Sequence, residues 1–178
     1  MQELVLKFGG SSVGNISRIE NMLRIVADIK KNNRVKALVF SAFGKTTDHL
    51  LGLGNLAEQG DLSYRQGFAK LETFHREIFH HFCPEYIDAR QDEKLSENFE
   101  VLGELLRSIY LSRELSPRFK DLILSFGERN SNYILTQVLK TRGYHVEYLD
   151  ARKIIKTNNR FGGAQVIEEL SIKNIQSY

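Results

Sequence analysis

The first forty residues combine two apolar patterns of different period. Residues 4–8 form an apolar run interrupted only by Lys7, which is typical of a strand buried on both faces in a parallel sheet. From 16 to 29, apolar residues recur every three or four positions, which predicts an amphipathic helix. Residues 35–40 form a second apolar run. We therefore expect a βαβ unit whose parallel strands end at the same edge of the sheet.

A long helical region follows the second predicted strand. Ser116 and Pro117 form a strong helix start, with the serine as cap and the proline in the first turn. Gly143 provides the matching stop. Apolar residues at helical spacing predict helices at 50–59, 62–82, 94–114 and 122–143.

The remaining residues predict shorter elements. A third strand is expected at 144–149, a further short strand at 153–156 and a helix at 165–170. These elements indicate the α/β class with a mainly parallel sheet. We expect a single domain over 1–178, because no linker, low-complexity segment or internal repeat divides the chain. The chain stops without a closing strand or cap signal, so we expect it to be part of a longer domain.

Gly127 stands inside the fourth predicted helix, where glycine costs about 1 kcal/mol. One explanation is a break in the helix that exposes Glu128 towards a ligand. A surface glutamate in a salt bridge with Arg129 or Lys120 explains the same residue equally well. The sequence alone leaves both open.

Composition excludes several classes of function. The chain has 178 residues, of which 42% are apolar and 26% charged, so it can form a core. A net charge of +3 without a dense basic run does not indicate nucleic-acid binding. No apolar run approaches a membrane span, and the N-terminus lacks a signal-peptide pattern. The single cysteine, Cys83, fits a reducing compartment. We expect a cytoplasmic protein that binds neither nucleic acid nor membrane.

Histidines cluster near the single cysteine. His75, His80, His81 and Cys83 lie within nine positions, but the adjacent histidines point to different faces of a helix and zinc-site spacing is absent. We expect a surface cluster at a helix end and no metal site.

The first predicted strand leads into a glycine-rich turn. Lys7 lies near the end of the strand, and Gly9 and Gly10 follow it. Consecutive glycines allow backbone N–H groups to converge on an anion, and the next helix adds its positive end. An ordinary strand-to-helix turn with a solvated lysine explains the pattern as well. Ser11 occupies the middle-glycine position of a dinucleotide fingerprint, which excludes that motif.

The second predicted strand also ends in a polar loop, residues 41–48. Gly44-Lys45-Thr46 is similar to the end of a Walker A motif. That motif needs a glycine five positions before Gly44, where Val39 stands. The segment is therefore not a P-loop.

Four segments together resemble the aspartate kinases of the amino-acid kinase superfamily. The resemblance covers nearly the whole chain, and the helical middle is most similar to aspartate kinases fused to homoserine dehydrogenase. It implies an αβα three-layer sandwich with a helical insertion. The matching segments are Lys-Phe-Gly-Gly-Ser-Ser-Val-Gly (7–14), Val-Phe-Ser-Ala-Phe-Gly-Lys-Thr-Thr-Asp-His-Leu (39–50), Phe-Gly-Glu-Arg (126–129) and Leu-Asp-Ala-Arg-Lys-Ile-Ile-Lys-Thr (149–157).

The resemblance implies transfer of phosphate from ATP, with Mg²⁺, to the β-carboxylate of L-aspartate, the entry step to lysine, methionine and threonine synthesis. It also implies a homo-oligomer in the intact enzyme. By motif match, Lys7 is the catalytic residue, Thr47 binds aspartate and Glu128 pairs with its ammonium group. The ATP and phosphate site is expected to comprise Lys7, Phe8, Gly9, Gly10, Ser11, Ser12 and Ser41.

The family's later Gly-Gly-Ser-Asp loop, with an arginine for the substrate α-carboxylate and an aspartate near the metal, is expected beyond this chain. Most adenine contacts and the regulatory domains are expected there too. Two alternatives remain open. One is a related kinase of glutamate, acetylglutamate or a nucleotide, against which Thr47 and Glu128 argue. The other is a non-catalytic fragment that binds aspartate or mediates subunit contact.

Overall fold

The computed structural model describes residues 2–84 and 93–178, as a parallel sheet flanked by helices. The predicted α/β class with a parallel sheet and a helical middle is confirmed. The two strands are β1 (Gln2–Phe8) and β2 (Asn33–Phe40). The helices are α1 (Ile16–Lys30), α2 (Thr46–Gln59), α3 (Ser63–Phe82), α4 (Glu93–Ser112), α5 (Pro117–Thr141) and α6 (Glu168–Ser177).

The N-terminal βαβ unit forms as predicted. The strands β1 and β2 pair in parallel and end together, with Phe8 opposite Phe40. Helix α1 connects them and is capped by Asn15, whose side chain accepts a hydrogen bond from the Arg18 amide at 3.0 Å. Its buried face consists of the apolar residues Ile19, Met22 and Val26.

The expectation that β1 is buried on both faces is wrong. Val5 is 65% exposed and Val39 on β2 is 46% exposed, whereas Phe8 and Phe40 are buried. Burial on both faces of a parallel sheet requires a covering layer on each side. In the described part of the chain, the face that carries Val5 and Val39 lacks such a layer.

Helices α2 to α5 pack together into the main core. The side chains between these helices are buried; Leu50, Leu102, Ile123 and Phe126 are each 0% exposed. The expected surface cluster at the end of α3 is correct for His81, which is exposed, but not for His75 and Cys83, which are 1% and 0% exposed. Within the described ranges, no group of three or more His, Cys, Asp or Glu residues could hold a metal ion.

Gly127 does not break α5. The helix runs without interruption from Pro117 to Thr141, and Gly127 is buried. A Cβ atom placed on Gly127 would lie 2.9 Å from the Cβ atom of Ala42. The glycine therefore serves close packing of α5 against the segment that follows β2.

The C-terminal region differs most from the expectation. No strand forms at 144–149 or 153–156; the second segment overlaps a short 3₁₀ turn, Ala151–Lys153. Residues 144–149 form no ladder with β1 or β2, and they are held instead by side chains: Lys30 lies over the Tyr144 ring and Tyr148 contacts Tyr133. The last helix begins at 168, three residues after its predicted start.

None of the helices in the described part of the chain combines the length and apolar character that a bilayer crossing requires.

Candidate active site

The loops that follow β1 and β2 lie at the same edge of the sheet. The rings of Phe8 and Phe40 stack with their centroids 5.8 Å apart, so the chain leaves both strands at the same level. The first loop, 9–14, follows β1, and the second loop, 41–46, follows β2. This edge is where open α/β sheets collect ligands.

Lys7 lies one residue before the end of β1, opposite Val39. Its side chain is exposed, on the same face as Val5. Among the described residues it forms no ion pair. Lys7 therefore presents an unneutralised positive charge beside the first loop.

The two loops are joined through their backbones. The Ser41 amide donates to the Phe8 carbonyl at 3.0 Å, and the Gly44 amide donates to the Gly10 carbonyl at 3.1 Å. A Cβ atom on Gly10 would lie only 2.8 Å from the Ala42 carbonyl oxygen. Gly44 has a positive φ of 51°, which favours glycine. The contact between the loops thus requires Gly10, and the backbone conformation at position 44 favours Gly44.

The first loop forms a short 3₁₀ turn, Gly10–Ser12. The Ser12 amide donates to the Gly9 carbonyl at 2.8 Å, and Arg18 from α1 donates to the Ser11 carbonyl at 2.7 Å. Within the described residues, the amides of Gly9, Gly10 and Ser11 have no hydrogen-bond acceptor. Unpaired backbone amides in a turn of this kind are the donors that an anion-binding site requires.

Phe8 takes a different place from the other predicted phosphate-site residues. Its ring is 8% exposed and lies in the core. Its backbone carbonyl accepts the bond from Ser41. In this structure Phe8 anchors the loops, and only its backbone lies at the site.

Thr47 lies in the first turn of α2, which begins at Thr46. Thr46 is buried, whereas Thr47 is exposed. The first turn of a helix has unpaired amides and the positive end of the helix dipole. Thr47 therefore combines a hydroxyl with a location that favours a carboxylate or phosphate.

Glu128 is exposed on α5, one residue after Gly127. The alternative salt bridge does not form in the described part of the chain: neither Lys120 nor Arg129 pairs with it. Arg129 instead donates to Asn98 at 2.9 Å and lies over the Phe126 ring at 4.0 Å. The Glu128 carboxylate is left facing solvent.

Charged residues of the fourth motif lie near Arg129. Arg152 donates from Nε to Asp150 at 2.9 Å, and this bond lowers the pKa of the Asp150 carboxyl. Burial, together with the nearby charge of Arg152, lowers the pKa of the Arg129 guanidinium. The resemblance assigned no binding role to these three residues, and they form a charged cluster beside the Glu128 segment.

Sequence reasoning missed the side chains that link α5 to the second loop. The Ser131 hydroxyl lies 3.0 Å from the Ser41 carbonyl, and Asn132 donates to the Phe40 carbonyl at 2.8 Å. The available signal was the position of two polar residues three and four places after Glu128, on the same helix face. Through these bonds, the elements that carry Lys7, Ser41 and Glu128 form one connected unit.

The described residues do not make a magnesium site by themselves. Proteins bind Mg²⁺ in nucleotide sites through one or two carboxylates together with phosphate oxygens. Glu128 is the only carboxylate among the predicted site residues, and within the described ranges no acidic cluster accompanies it.

Comparison with known proteins places the fold and the loops in a family. The model of the amino acid kinase family matches residues 2–178. The chain therefore belongs to the amino acid kinase family.

The relatives with similar sequences are aspartokinases, which form a narrower group than the family. The chain is 31% identical to aspartokinase 1 of Arabidopsis thaliana, which is chloroplastic, over 92% of this chain and 28% of that protein. It is 29% identical to lysine-sensitive aspartokinase 3 of Escherichia coli, over 93% of this chain and 35% of that protein. It is also 29% identical to a chloroplastic bifunctional aspartokinase/homoserine dehydrogenase of Arabidopsis thaliana, over 85% of this chain and 16% of that protein. The chain thus spans about a third or less of the relatives it matches.

A solved structure has the same fold. E. coli aspartokinase III in complex with aspartate and ADP superimposes with a TM-score of 0.84 at 24% identity, over 99% of this chain and 37% of that one. At this identity the match supports the shared fold.

Proposed function

We propose that this chain forms the phosphate-binding and aspartate-binding part of an aspartokinase. The reaction is transfer of the γ-phosphoryl group of ATP to the β-carboxylate of L-aspartate, giving aspartyl phosphate and ADP. Membership of the amino acid kinase family and the similarity to several aspartokinases support this proposal. The observation that carries it is the junction of three elements at one sheet edge, each bearing residues of the predicted site.

The phosphate side of the site is formed by β1 and the two loops. The acceptor carboxylate is already an anionic nucleophile, so the protein needs neither a strong base nor a covalent intermediate. Its work is alignment and the neutralisation of charge on the moving phosphoryl group. Lys7 supplies a fixed positive charge, and Gly9, Gly10 and Ser11 supply backbone donors. The hydroxyls of Ser11, Ser12 and Ser41 add further contacts to phosphate oxygens.

The aspartate side is formed by the start of α2 and by α5. Thr47 donates its hydroxyl to a substrate carboxylate, which the positive end of α2 also stabilises. The exposed Glu128 carboxylate pairs with the substrate ammonium group, and such charge-assisted bonds are about twice as strong as neutral ones. The two residues together select an α-amino acid with a second carboxylate.

Several finer properties belong to the same proposal. ATP is the phosphoryl donor and carries Mg²⁺ on its phosphates, as nucleotides do in phosphoryl transfer. The product feeds lysine, methionine and threonine synthesis. The cytoplasmic location and the homo-oligomeric state stay predictions from the sequence; several similar plant proteins are chloroplastic.

Replacement of Lys7 tests the proposal in the protein that contains this chain. We expect Lys7→Ala to lower kcat for aspartyl phosphate by about 100-fold or more, because a fixed transition-state charge is lost. Product is measured as the hydroxamate, with glutamate as a comparison substrate. Lys36→Ala is the matched control, since Lys36 is an exposed lysine of β2 that contacts Glu3 at 3.2 Å, away from the loops.

Three results would argue against the proposal. Absence of product from aspartate would contradict the aspartokinase function itself. A faster reaction with glutamate would indicate a different kinase of the family. An unchanged kcat in Lys7→Ala would remove Lys7 from the catalytic role.

A further inference from the structure

The carbonyl groups at the end of β2 are bound by side chains of α5. Asn132 donates from Nδ2 to the Phe40 carbonyl at 2.8 Å, and the Ser131 hydroxyl lies 3.0 Å from the Ser41 carbonyl. Ser131 is 0% exposed, so water does not compete for its bond. These contacts occur where the β1–β2 ladder ends and the second loop begins. They satisfy two backbone carbonyl groups at the point where the strand becomes a loop.

The same two side chains also contact the backbone of α5 at Glu128. Asn132 Nδ2 lies 2.7 Å from the Glu128 carbonyl, and Ser131 Oγ lies 3.1 Å from it. An amide NH₂ group has two hydrogens, so Asn132 can donate to Phe40 and Glu128 at once. The single hydroxyl hydrogen of Ser131 serves one carbonyl at a time. Asn132 is thus a direct bridge between the turn of α5 that carries Glu128 and the end of β2.

Packing at Gly127 makes these short bonds possible. A Cβ atom on Gly127 would approach the Ala42 Cβ to 2.9 Å and Thr46 Cγ2 to 3.5 Å. The helix backbone therefore lies directly against the second loop. From this position Ser131 and Asn132, one turn further on, reach the carbonyls of residues 40 and 41.

We propose that Asn132 and Ser131 are positioning residues, which hold the second loop on α5 and so fix Ser41 and Thr47 relative to Glu128. The inference rests on the proposed function, because those three residues are its binding groups. Neither Asn132 nor Ser131 is assigned a contact with substrate. Their effect is to keep the hydroxyls of the loop and the carboxylate of the helix in one geometry.

Two measurements separate this role from a general contribution to folding. The first is hydrogen exchange of the Ser41 and Gly44 amides, which donate to Phe8 and Gly10 and report on whether the second loop stays in place. The second is the affinity for L-aspartate, measured by calorimetry. The variants are Asn132→Ala and Asn132→Asp, the latter of which keeps the shape but removes both donors.

Thr136→Ala is the matched control. Thr136 is 8% exposed, and its hydroxyl donates to the Asn132 carbonyl at 2.7 Å, within α5. It is a buried polar residue one turn away whose bond holds only its own helix. We expect both Asn132 variants to exchange about 10-fold faster at residues 41 and 44 and to bind aspartate about 10-fold more weakly. Thr136→Ala should change both quantities by about twofold or less.

Specific outcomes overturn the inference. Unchanged exchange at residues 41 and 44 in the Asn132 variants would show that the loop does not depend on them. Equal acceleration in Thr136→Ala would reduce the effect to general helix stability. If the Asn132 variants do not fold, Ser131→Ala, which deletes one hydroxyl, takes their place. Faster exchange at residues 41 and 44 together with weaker aspartate binding in this variant would support the inference. Unchanged exchange and binding would overturn it. A wild-type protein that fails to bind aspartate would contradict the proposed function, while the exchange comparison would still decide the role of the two side chains.

Discussion

His75 is a buried histidine surrounded by aromatic rings. Its Nδ1 atom lies 2.8 Å from the Leu71 carbonyl of the preceding turn and so carries the donated hydrogen. Its Nε2 atom has no partner among the described residues. The ring centroids of Phe43, Phe74 and Phe99 lie 5.4 to 5.5 Å away. Burial lowers the pKa of His75 to about 4, against a smaller opposing effect of the Leu71 bond.

This shift predicts an acid-sensitive stability. The unfolded chain binds a proton at His75 below a pKa of about 6.5, whereas the folded protein resists protonation down to about pH 4. Stability from the neutral imidazole is therefore complete above pH 6.5 and declines as the pH falls from 6.5 to 4. The full difference corresponds to about 3 kcal/mol.

Replacement by a residue that does not titrate should remove this decline. We expect the free energy of unfolding of His75→Phe, measured by urea denaturation at pH 7 and pH 4.5, to fall less with pH than that of the wild type. The control is His145→Gln, since His145 is exposed. An identical fall in His75→Phe and the wild type would mean that other groups cause the acid sensitivity.

At the scale of elements, the contact between α5 and the second loop depends on Gly127, which has no side chain. Gly127 and Gly52 both lie in helix interiors, in α5 and α2. A Cβ atom on Gly127 would meet the Ala42 Cβ at 2.9 Å, whereas a Cβ atom on Gly52 would meet nothing within 4 Å. The same substitution therefore has opposite consequences at the two positions.

The alanine variants of both glycines test this contrast. Gly52→Ala should stabilise the protein by about 0.5–1 kcal/mol, because glycine loses more backbone entropy on folding. Gly127→Ala should destabilise it by about 1 kcal/mol or more, because overpacking outweighs the gain in helix propensity. Urea denaturation gives both values. Stabilisation of Gly127→Ala to the same extent as Gly52→Ala would contradict the packing argument.

Local signals predicted the elements well. The period of apolar residues located the βαβ unit and the long helices, and the Ser116 side chain accepts the predicted capping bond, from the Phe119 amide at 3.3 Å. The sequence left open whether Gly127 breaks the helix, because the reason for this glycine, the close approach of Ala42, is not local. Residues 144–149 have strand-forming composition, but a strand also requires a ladder partner, which sequence does not reveal.

The arrangement of the candidate site could be predicted in part. Lys7, the glycines of the first loop and Ser41 lie at one sheet edge because parallel strands end together. The role of Asn132 depends on the carbonyl of Phe40, which is 92 residues away in the chain. Only the folded structure brings such a pair together.

At the scale of the whole molecule, burial is distributed unevenly. Helices α2 to α5 contain many side chains with 0% exposure, including Val138 of α5. The outer face of the sheet is open in the described residues, with Val5 65% exposed and Val39 46% exposed. Lys7 lies on the same open face as Val5. Lys7, the charge proposed to act in catalysis, therefore lies on a face where a substitution removes few packing contacts.

Replacement of a valine by the isosteric threonine, once on the outer face and once in the core, measures this difference in burial. Val5→Thr should change the free energy of unfolding by about 0.5 kcal/mol or less, because the side chain is mostly solvated and threonine suits a strand. Val138→Thr should cost about 1–3 kcal/mol, because it places a hydroxyl in the apolar core. Both are measured by urea denaturation in the same protein. An equal loss of unfolding free energy at Val5 and Val138 would mean that another layer covers the outer face in solution. The Lys7 side chain would then also be covered, and the effect of Lys7→Ala on kcat would have to be separated from an effect on stability.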